Sequence, residues 1–323
     1  MKLIYKSSRT GDEIIQVPPD RRRIIPPTVE RNRMRPLLRV DLLDSYKEFF
    51  GFTQTPFSVS PNPGFFFFSR SHAEALNHLR YGIYEGLGFT LITGEPGTGK
   101  TMLSRYFLNK AGDDLRITHI SDPRFSQKEL LLAVLDSLGA SSFSPEELTH
   151  GKLTQRLCDL LLLAHRQSKK VIVVLDEAQG LDFESLEGLR LLSNLETESQ
   201  KLIQIVLFAQ TDLEEKLQEK SLRQFDQRIL VRYHLLPLES EEIQPYIRHQ
   251  LTVAKVDPGV AFTTESLGRI YEISRGLPRM VNALCERAMM SAFTENARTI
   301  GAQNVMEGWD SLNGIKILEK QRV

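Results

Sequence analysis

The chain has 323 residues, 41% of them hydrophobic and 25% charged, with 41 Lys and Arg balancing 41 Asp and Glu. This is the composition of a globular protein with room for two modest domains or one large one. Zero net charge removes any global electrostatic argument for or against a nucleic-acid partner, and no apolar run approaches the ~20 residues needed to span a bilayer.

The first residues, "MKLIYKSSRTGDE", lack the apolar stretch of a signal peptide. Cys158 and Cys285 lie far apart in helix-like segments without metal-ligand spacing. They are expected to be buried free thiols in a reducing compartment, which points to a cytoplasmic location.

Residues 1–45 differ from the rest. Residues 1–40 hold ten Lys and Arg against four Asp and Glu, a net of +6. The stretch "QVPPDRRRIIPPTVERNRMRPLLR" has no sustained period, and each Pro removes a donor and biases its predecessor toward extended backbone. An extended or disordered arm is expected. It is either a solvated tail or a basic arm that contacts nucleic acid or a neighbouring subunit.

From Tyr46 the sequence becomes foldable. The Phe residues of "FFGFTQTPFSVSPNPGFFFF" are expected to form a small hydrophobic cluster. "SHAEALNHLRYGIYEG" reads as a helix with Ser71 as its N-cap. Strands and helices then alternate. Strands are predicted at Phe89–Thr93, Arg116–Ile120, Lys170–Asp176, Ile203–Ala209 and near Leu230–His234. Helices are predicted from Lys100, at Gln127–Leu138, Glu146–Gln167 and Phe183–Glu196. Continuous β-branched runs separated by helices predict an α/β fold with a parallel sheet covered on both faces. After Pro237 strands are no longer expected, and four helical segments follow. The expected organisation is an arm over 1–45, an α/β nucleotide-binding domain over 46–236 and a small helical domain over 237–323.

Gly94-Glu95-Pro96-Gly97-Thr98-Gly99-Lys100-Thr101 fits G-x-x-x-x-G-K-[ST], between an apolar strand and a helix. The glycines let successive backbone N–H groups turn inward on phosphate oxygens, and the helix N-terminus adds partial positive charge. Lys100 is expected to reach the β- and γ-phosphates and Thr101 to ligate Mg²⁺. These eight residues, with Met102 in the first helical turn, form the expected ATP-binding set.

About 75 residues later, "VIVVLDEAQ" ends an apolar strand on Asp176 and Glu177, at the sheet edge where α/β proteins bind ligands. Asp176 is expected to hold Mg²⁺ and Glu177 to polarise the attacking water. Gln210, after the next strand, is placed to sense the γ-phosphate or to orient water. Transfer of a phosphoryl group needs a cation for its developing charge, often from a neighbouring subunit. Arg228 is the expected finger, with Arg223 as its alternative. In "SRGLPRMVNAL", Pro278 suits a first helical turn. Arg279 would then report the γ-phosphate to the helical domain, with Arg275 as its alternative.

In this order, the phosphate loop, "LDEAQ", a polar residue after the next strand, "LRQFDQR" and "GLPR" resemble the AAA+ ATPases. More narrowly, residues 46–295 are similar to the ExeA/GspA-type secretion ATPases, with counterparts to "FFGFTQTPFSVSPNPGFFFFSRSHAEALNHLRYGI" and "RYHLLPL". The resemblance implies a five-stranded parallel core with a helical lid, ATP at their junction and homo-oligomers with sites between subunits. It also implies that "SRSHAEAL", including His72, lies near the adenine. Secretion ATPases of this type commonly continue into a transmembrane helix and a periplasmic peptidoglycan-binding region, which are not expected here. The same core is similar to the TnsC, TniB and MuB-type transposition regulators, which assemble on DNA and recruit a transposase. Two expectations follow. One is an oligomeric ATPase acting on a secretion or envelope protein partner. The other is an ATPase that binds double-stranded DNA through its basic arm.

Overall fold

The structure is a computed structural model that describes residues 40–58, 60–121, 126–198 and 200–314. Most of the arm expected over 1–45 therefore lies outside the described residues. The first described helix, α1 (Val40–Phe50), begins within that span.

Five strands build the central sheet: β1 (Phe89–Gly94), β2 (Leu115–Ile120), β3 (Lys170–Leu175), β4 (Ile203–Phe208) and β5 (Ile229–Leu235). Their spatial order is β2-β3-β4-β1-β5 and every pairing is parallel. Every residue of β1 and β4 is buried. That is why their sequences read as unbroken apolar runs rather than as alternation. The two faces still separate by residue parity. Val171, Val173 and Leu175 join one apolar cluster, while Ile172 and Val174 join the other. The first face is covered by α4 (Gln127–Ser137), α5 (His150–Arg166) and α6 (Phe183–Leu192). The second is covered by α2 (Arg70–Tyr84) and α3 (Lys100–Asn109). Two short helices, α7 (Asp212–Leu217) and α8 (Arg223–Asp226), lead into β5.

Beyond β5 come α9 (Ser240–Val253), α10 (Thr264–Ser274), α11 (Pro278–Thr294) and α12 (Ala302–Leu312). The expectation that strands stop after Pro237 needs a small correction. Two-residue strands, β6 (Ala261–Phe262) and β7 (Thr299–Ile300), pair in parallel and tie the start of α10 to the start of α12. The third apolar cluster fills these helices. It contains Tyr46, Phe50, Phe52, Phe57 and Phe65 together with Ile243, Val281, Cys285 and Met289. The aromatic segment after the arm thus buries its rings with the late helices and not with the sheet beside it in sequence. Phe66 does turn to the sheet cluster, and Phe68 stays 49% exposed.

Three local expectations differ from the structure. Ser69, not Ser71, caps α2, because its Oγ accepts the His72 N–H at 3.2 Å. Ser71 lies inside the first turn, where its Oγ accepts the Leu236 N–H at 2.8 Å and bonds the Tyr233 hydroxyl. The helix expected from Glu146 starts at His150. A separate 3₁₀ turn, Pro145–Glu147, precedes it and is closed by Ser144 N–H donating to the Glu147 carboxylate at 2.7 Å. Both cysteines are free and Cys285 is buried, but Cys158 is only half-buried on α5.

Candidate nucleotide-binding site

The phosphate loop leaves the carboxyl end of β1 and enters α3 at Lys100. Gly99, the residue before the helix, has φ of +104°, a conformation L side chains rarely adopt. A Cβ there would also stand 2.7 Å from His72 Nε2. The loop closes on itself through Thr98, whose N–H and hydroxyl both donate to the Glu95 carbonyl, at 3.3 and 2.9 Å. Lys100, 6% exposed, donates from Nζ to the carbonyls of Gly94 at 2.7 Å and Glu95 at 2.9 Å. Burial pulls its pKa down, and the carboxylates of Glu177, Asp176 and Glu95 oppose that pull.

β3 delivers the two carboxylates. Asp176 is 2% exposed. Burial raises its pKa, against a hydrogen bond from the Thr101 side chain and one from the Glu177 backbone. Asp176 Oδ1 accepts that Glu177 N–H at 3.1 Å. The hydroxyl of Thr101 and the carboxylate of Asp176 are therefore joined at the loop, a hard-oxygen pair of the kind that Mg²⁺ carried on phosphates uses. Among the described residues no cluster of three or more His, Cys, Asp or Glu could hold a metal ion by itself. The donors present thus suit Mg²⁺ arriving on a nucleotide.

Glu177 takes a left-handed backbone, φ +55°, and its side chain is exposed toward the cavity. Two amides reach its Oε2: Gln179 Nε2 at 2.5 Å and Gln210 Nε2 at 3.3 Å. Gln179 Oε1 in turn accepts the Gln210 N–H at 3.1 Å. The ends of β3 and β4 are thereby linked through Gln179, which the sequence marks only by its place in "LDEAQ".

These groups line a cavity of about 420 Å³, within the usual range for small-molecule sites. Pro96, Gly97, Gly99, Lys100, Thr101 and Met102 form one wall, and Glu177 and Gln210 another. Gly94, Glu95, Thr98 and Asp176 are not on the lining; they frame the loop and the carboxylate behind it. The late helices close the cavity through Pro278 and Arg279, and the Arg279 N–H donates to the Gly97 carbonyl at 3.2 Å. His72 also lines it, 5% exposed, between the Phe66 ring at 5.4 Å and Gly99. Burial pulls the His72 pKa down to about 4, opposed by the Glu242 carboxylate and a hydrogen bond to the Thr98 backbone. Sequence reasoning missed the remaining wall: Ser58, Phe65, Phe66, Phe67, Tyr246 and Asn282. The local signal at Phe65–Phe67 read as core, and nothing in the sequence ties residue 58 to residue 282.

Arg223 and Arg228 are not brought to this cavity. Arg228 precedes the first residue of β5, whereas the phosphate loop follows the last residue of the parallel β1. The length of a strand, ~20 Å, therefore separates them. Arg228 Nη1 instead lies 3.5 Å from the Ser193 hydroxyl, and Arg223 is exposed. Arg275 is exposed too, in left-handed backbone at the end of α10.

Residues 83–217 match the AAA domain family. Over 274 residues, 84% of this chain, the sequence is 40% identical to "General secretion pathway protein A" of Aeromonas hydrophila. The chain belongs to the AAA+ family, on the branch of that relative. It spans about half of the relative's length, 49%. Solved structures share the fold at low identity. The Cdc6p of Pyrobaculum aerophilum has a TM-score of 0.59 at 18% identity, covering 82% of this chain and 70% of its own. The ORC2 protein of Aeropyrum pernix has a TM-score of 0.56 at 18% identity, covering 79% and 70%. The RuvB branch migration motor of Thermotoga maritima has a TM-score of 0.51 at 18% identity, covering 76% and 69%. Among the described residues of this AAA+ chain, no helix is long and apolar enough to cross a membrane.

Proposed function

We propose that this AAA+ chain binds ATP with Mg²⁺ and hydrolyses it, and that hydrolysis drives a switch in a homo-oligomer working on a secretion or envelope protein. The observation that carries this reading is one cavity in which Lys100, Thr101, Glu177, Gln210 and Arg279 meet. Its Mg²⁺ would be held by Thr101 and Asp176 and would offset phosphate charge.

The residues divide the work. Backbone N–H groups of the loop and the Lys100 ammonium hold phosphate oxygens, for which Lys100 leaves the loop carbonyls. Glu177 accepts a hydrogen bond from the attacking water and takes its proton as the bond to the γ-phosphorus forms and the bond from that phosphorus to the β–γ bridging oxygen breaks, so that ADP and phosphate leave. Gln210 orients Glu177 and the phosphate end. Arg279 is tied by its backbone to the phosphate loop, so its side chain can register the γ-phosphate and pass that state to the late helices. Among the described residues, Arg223 and Arg228 lie away from the site of their own chain, and Arg228 is assigned to the site of a neighbouring copy.

The likeness to "General secretion pathway protein A" supports a secretion partner, and the reducing compartment expected for the free thiols supports a cytoplasmic site. The +6 segment at residues 1–40 favours duplex DNA as a second reading, because Lys and Arg on phosphates release counterions. Steady-state ATPase measurement tests both. Lys100→Ala should lose nucleotide binding, and wild-type protein should hydrolyse ATP. Stimulation by duplex DNA that collapses between low and high salt supports the DNA reading, and a rate indifferent to DNA supports the protein partner. Full nucleotide affinity in Lys100→Ala would overturn the site assignment.

A further inference from the structure

α11 carries Arg279 and Asn282 three residues apart, on one face of the helix. The Arg279 N–H bonds Gly97 of the phosphate loop, so the first turn of α11 is anchored there. Asn282 stands one turn further along, about 4.5 Å by helical rise. It faces the same cavity, next to Ser58 and the Phe65–Phe67 rings.

Its amide is held in one orientation. The Tyr246 hydroxyl donates to Asn282 Oδ1 at 2.8 Å, and Asn282 Nδ2 donates to the Ser58 carbonyl at 3.3 Å. A carbonyl only accepts, so the nitrogen end must face Ser58 and the oxygen end must face Tyr246. Flipping the amide would set two acceptors against each other at Ser58. Tyr246 is itself fixed, 7% exposed in the helical cluster, with the Phe67 ring edge-on at 5.5 Å. These two bonds use one N–H and one lone pair of Asn282, so its amide keeps a further donor and a further acceptor on a residue that lines the cavity.

We propose that Asn282, oriented by Tyr246 and Ser58, reads the base of the bound nucleotide and selects adenine over guanine. This rests on the reading that nucleotide phosphates sit on the Gly94–Thr101 loop. Adenine presents the N6 amino donor beside a ring-nitrogen acceptor on both of its exposed edges, which complements a donor–acceptor amide. Guanine places its O6 acceptor where adenine has the amino group, opposite Asn282 Oδ1. An amide free to flip would accept either base on the edge that carries N1, where guanine offers a donor beside O6. One locked by its neighbours accepts adenine and leaves guanine with facing oxygens. The Phe65–Phe67 segment supplies an apolar wall for the faces of the base.

The test is fluorescence titration of the full chain with ribose-labelled ATP and ribose-labelled GTP. Wild-type protein should prefer ATP by roughly 10- to 100-fold, the range of one good bidentate contact. Asn282→Asp removes the donor and should bring the ratio to about one or below. Tyr246→Phe keeps the ring and leaves the amide held by the Ser58 carbonyl alone, so it should narrow the ATP preference, but less than Asn282→Asp does. Equal affinities in wild-type protein, or a ratio unchanged in both variants, would overturn the proposal. Lys100→Ala separates the two levels of the argument. If it binds both nucleotides as wild-type protein does, the phosphate assignment itself fails. If it loses both while Asn282→Asp keeps the ATP preference, only the role of Asn282 fails.

Discussion

In the proposed reaction Glu177 is the residue on which hydrolysis turns, and its side chain is held from two sides. Gln179 and Gln210 both donate to Oε2, and Gln179 also accepts from the Gln210 backbone. Glu177→Gln should bind ATP normally and lose turnover by ~10²- to 10⁴-fold, the usual contribution of a general base. Single-turnover hydrolysis with binding measured in parallel checks this. Gln179→Ala leaves every phosphate contact in place but removes one donor from Glu177 and the acceptor for the Gln210 N–H. It should lower kcat by ~10-fold with KM nearly unchanged, because only the geometry of attack is relaxed. A proportionate rise in KM would show that Gln179 supports nucleotide binding instead.

At the scale of elements, the late helices meet the β5–α9 connection in a close backbone approach. Gly276, between α10 and α11, has φ of +73°, and a Cβ there would stand 2.0 Å from the Leu238 carbonyl oxygen. The Leu238 N–H donates to the Gly276 carbonyl at 2.8 Å. Gly276→Ala must therefore strain the backbone and push the β5–α9 connection away. A loss of about 1–3 kcal/mol is expected for the conformational strain alone, with weaker nucleotide binding as Arg279 is displaced. Chemical denaturation with and without ATP would register both effects. The strand-length separation between Arg228 and the phosphate loop makes a second prediction. Arg228→Ala should keep nucleotide affinity and lose hydrolysis, and mixing it with Lys100→Ala protein should restore part of the rate. A mixed interface in which the Arg228→Ala copy supplies the loop and the Lys100→Ala copy the finger is intact, whereas the reverse pairing carries both lesions. Absence of rescue across all mixing ratios would remove the finger from Arg228.

For the whole molecule, two groups with opposite shifts, buried His72 and half-buried Glu286, contribute to acid stability in opposite directions. The folded state holds the His72 pKa at about 4, below the ordinary 6.5. Between those values the unfolded chain binds the proton more tightly, so stability falls as pH drops through that window. Glu286, half-buried on α11, is pushed up by burial from 4.5 to about 6. There the folded state binds the proton more tightly, so stability falls as pH rises from 4.5 to 6. The larger shift belongs to His72, so the pair together favours neutral pH over pH 4. Glu286→Gln should stabilise the protein near pH 7 by about 2 kcal/mol and steepen its acid sensitivity. Urea unfolding followed at Trp309, the one tryptophan, on α12, measures both. A variant no more stable than wild type at pH 7 would mean that Glu286 is solvated in the folded state.

The sheet and the catalytic half of the site were legible in the sequence. Buried parallel strands need unbroken apolar runs, and the phosphate loop, Asp176 and Glu177 follow their strands directly, so local pattern carried both position and chemistry. Tyr46 and Phe50, which join the late helices, could not be placed in this way, nor could the wall formed by Ser58, Phe65, Tyr246 and Asn282. Each of these is apolar or polar in an ordinary way, and their partners lie far along the chain, 224 residues for Ser58 with Asn282 and 36 for Tyr246 with Asn282. The strand lengths and order, not any motif, put Arg228 at the opposite edge of the sheet from its own loop. Sequence by itself determined the chemistry that short-range spacing can hold. Only the tertiary structure decided which side chains share the cavity, because burial pairs residues by shape and apolar area, without regard to their separation along the chain.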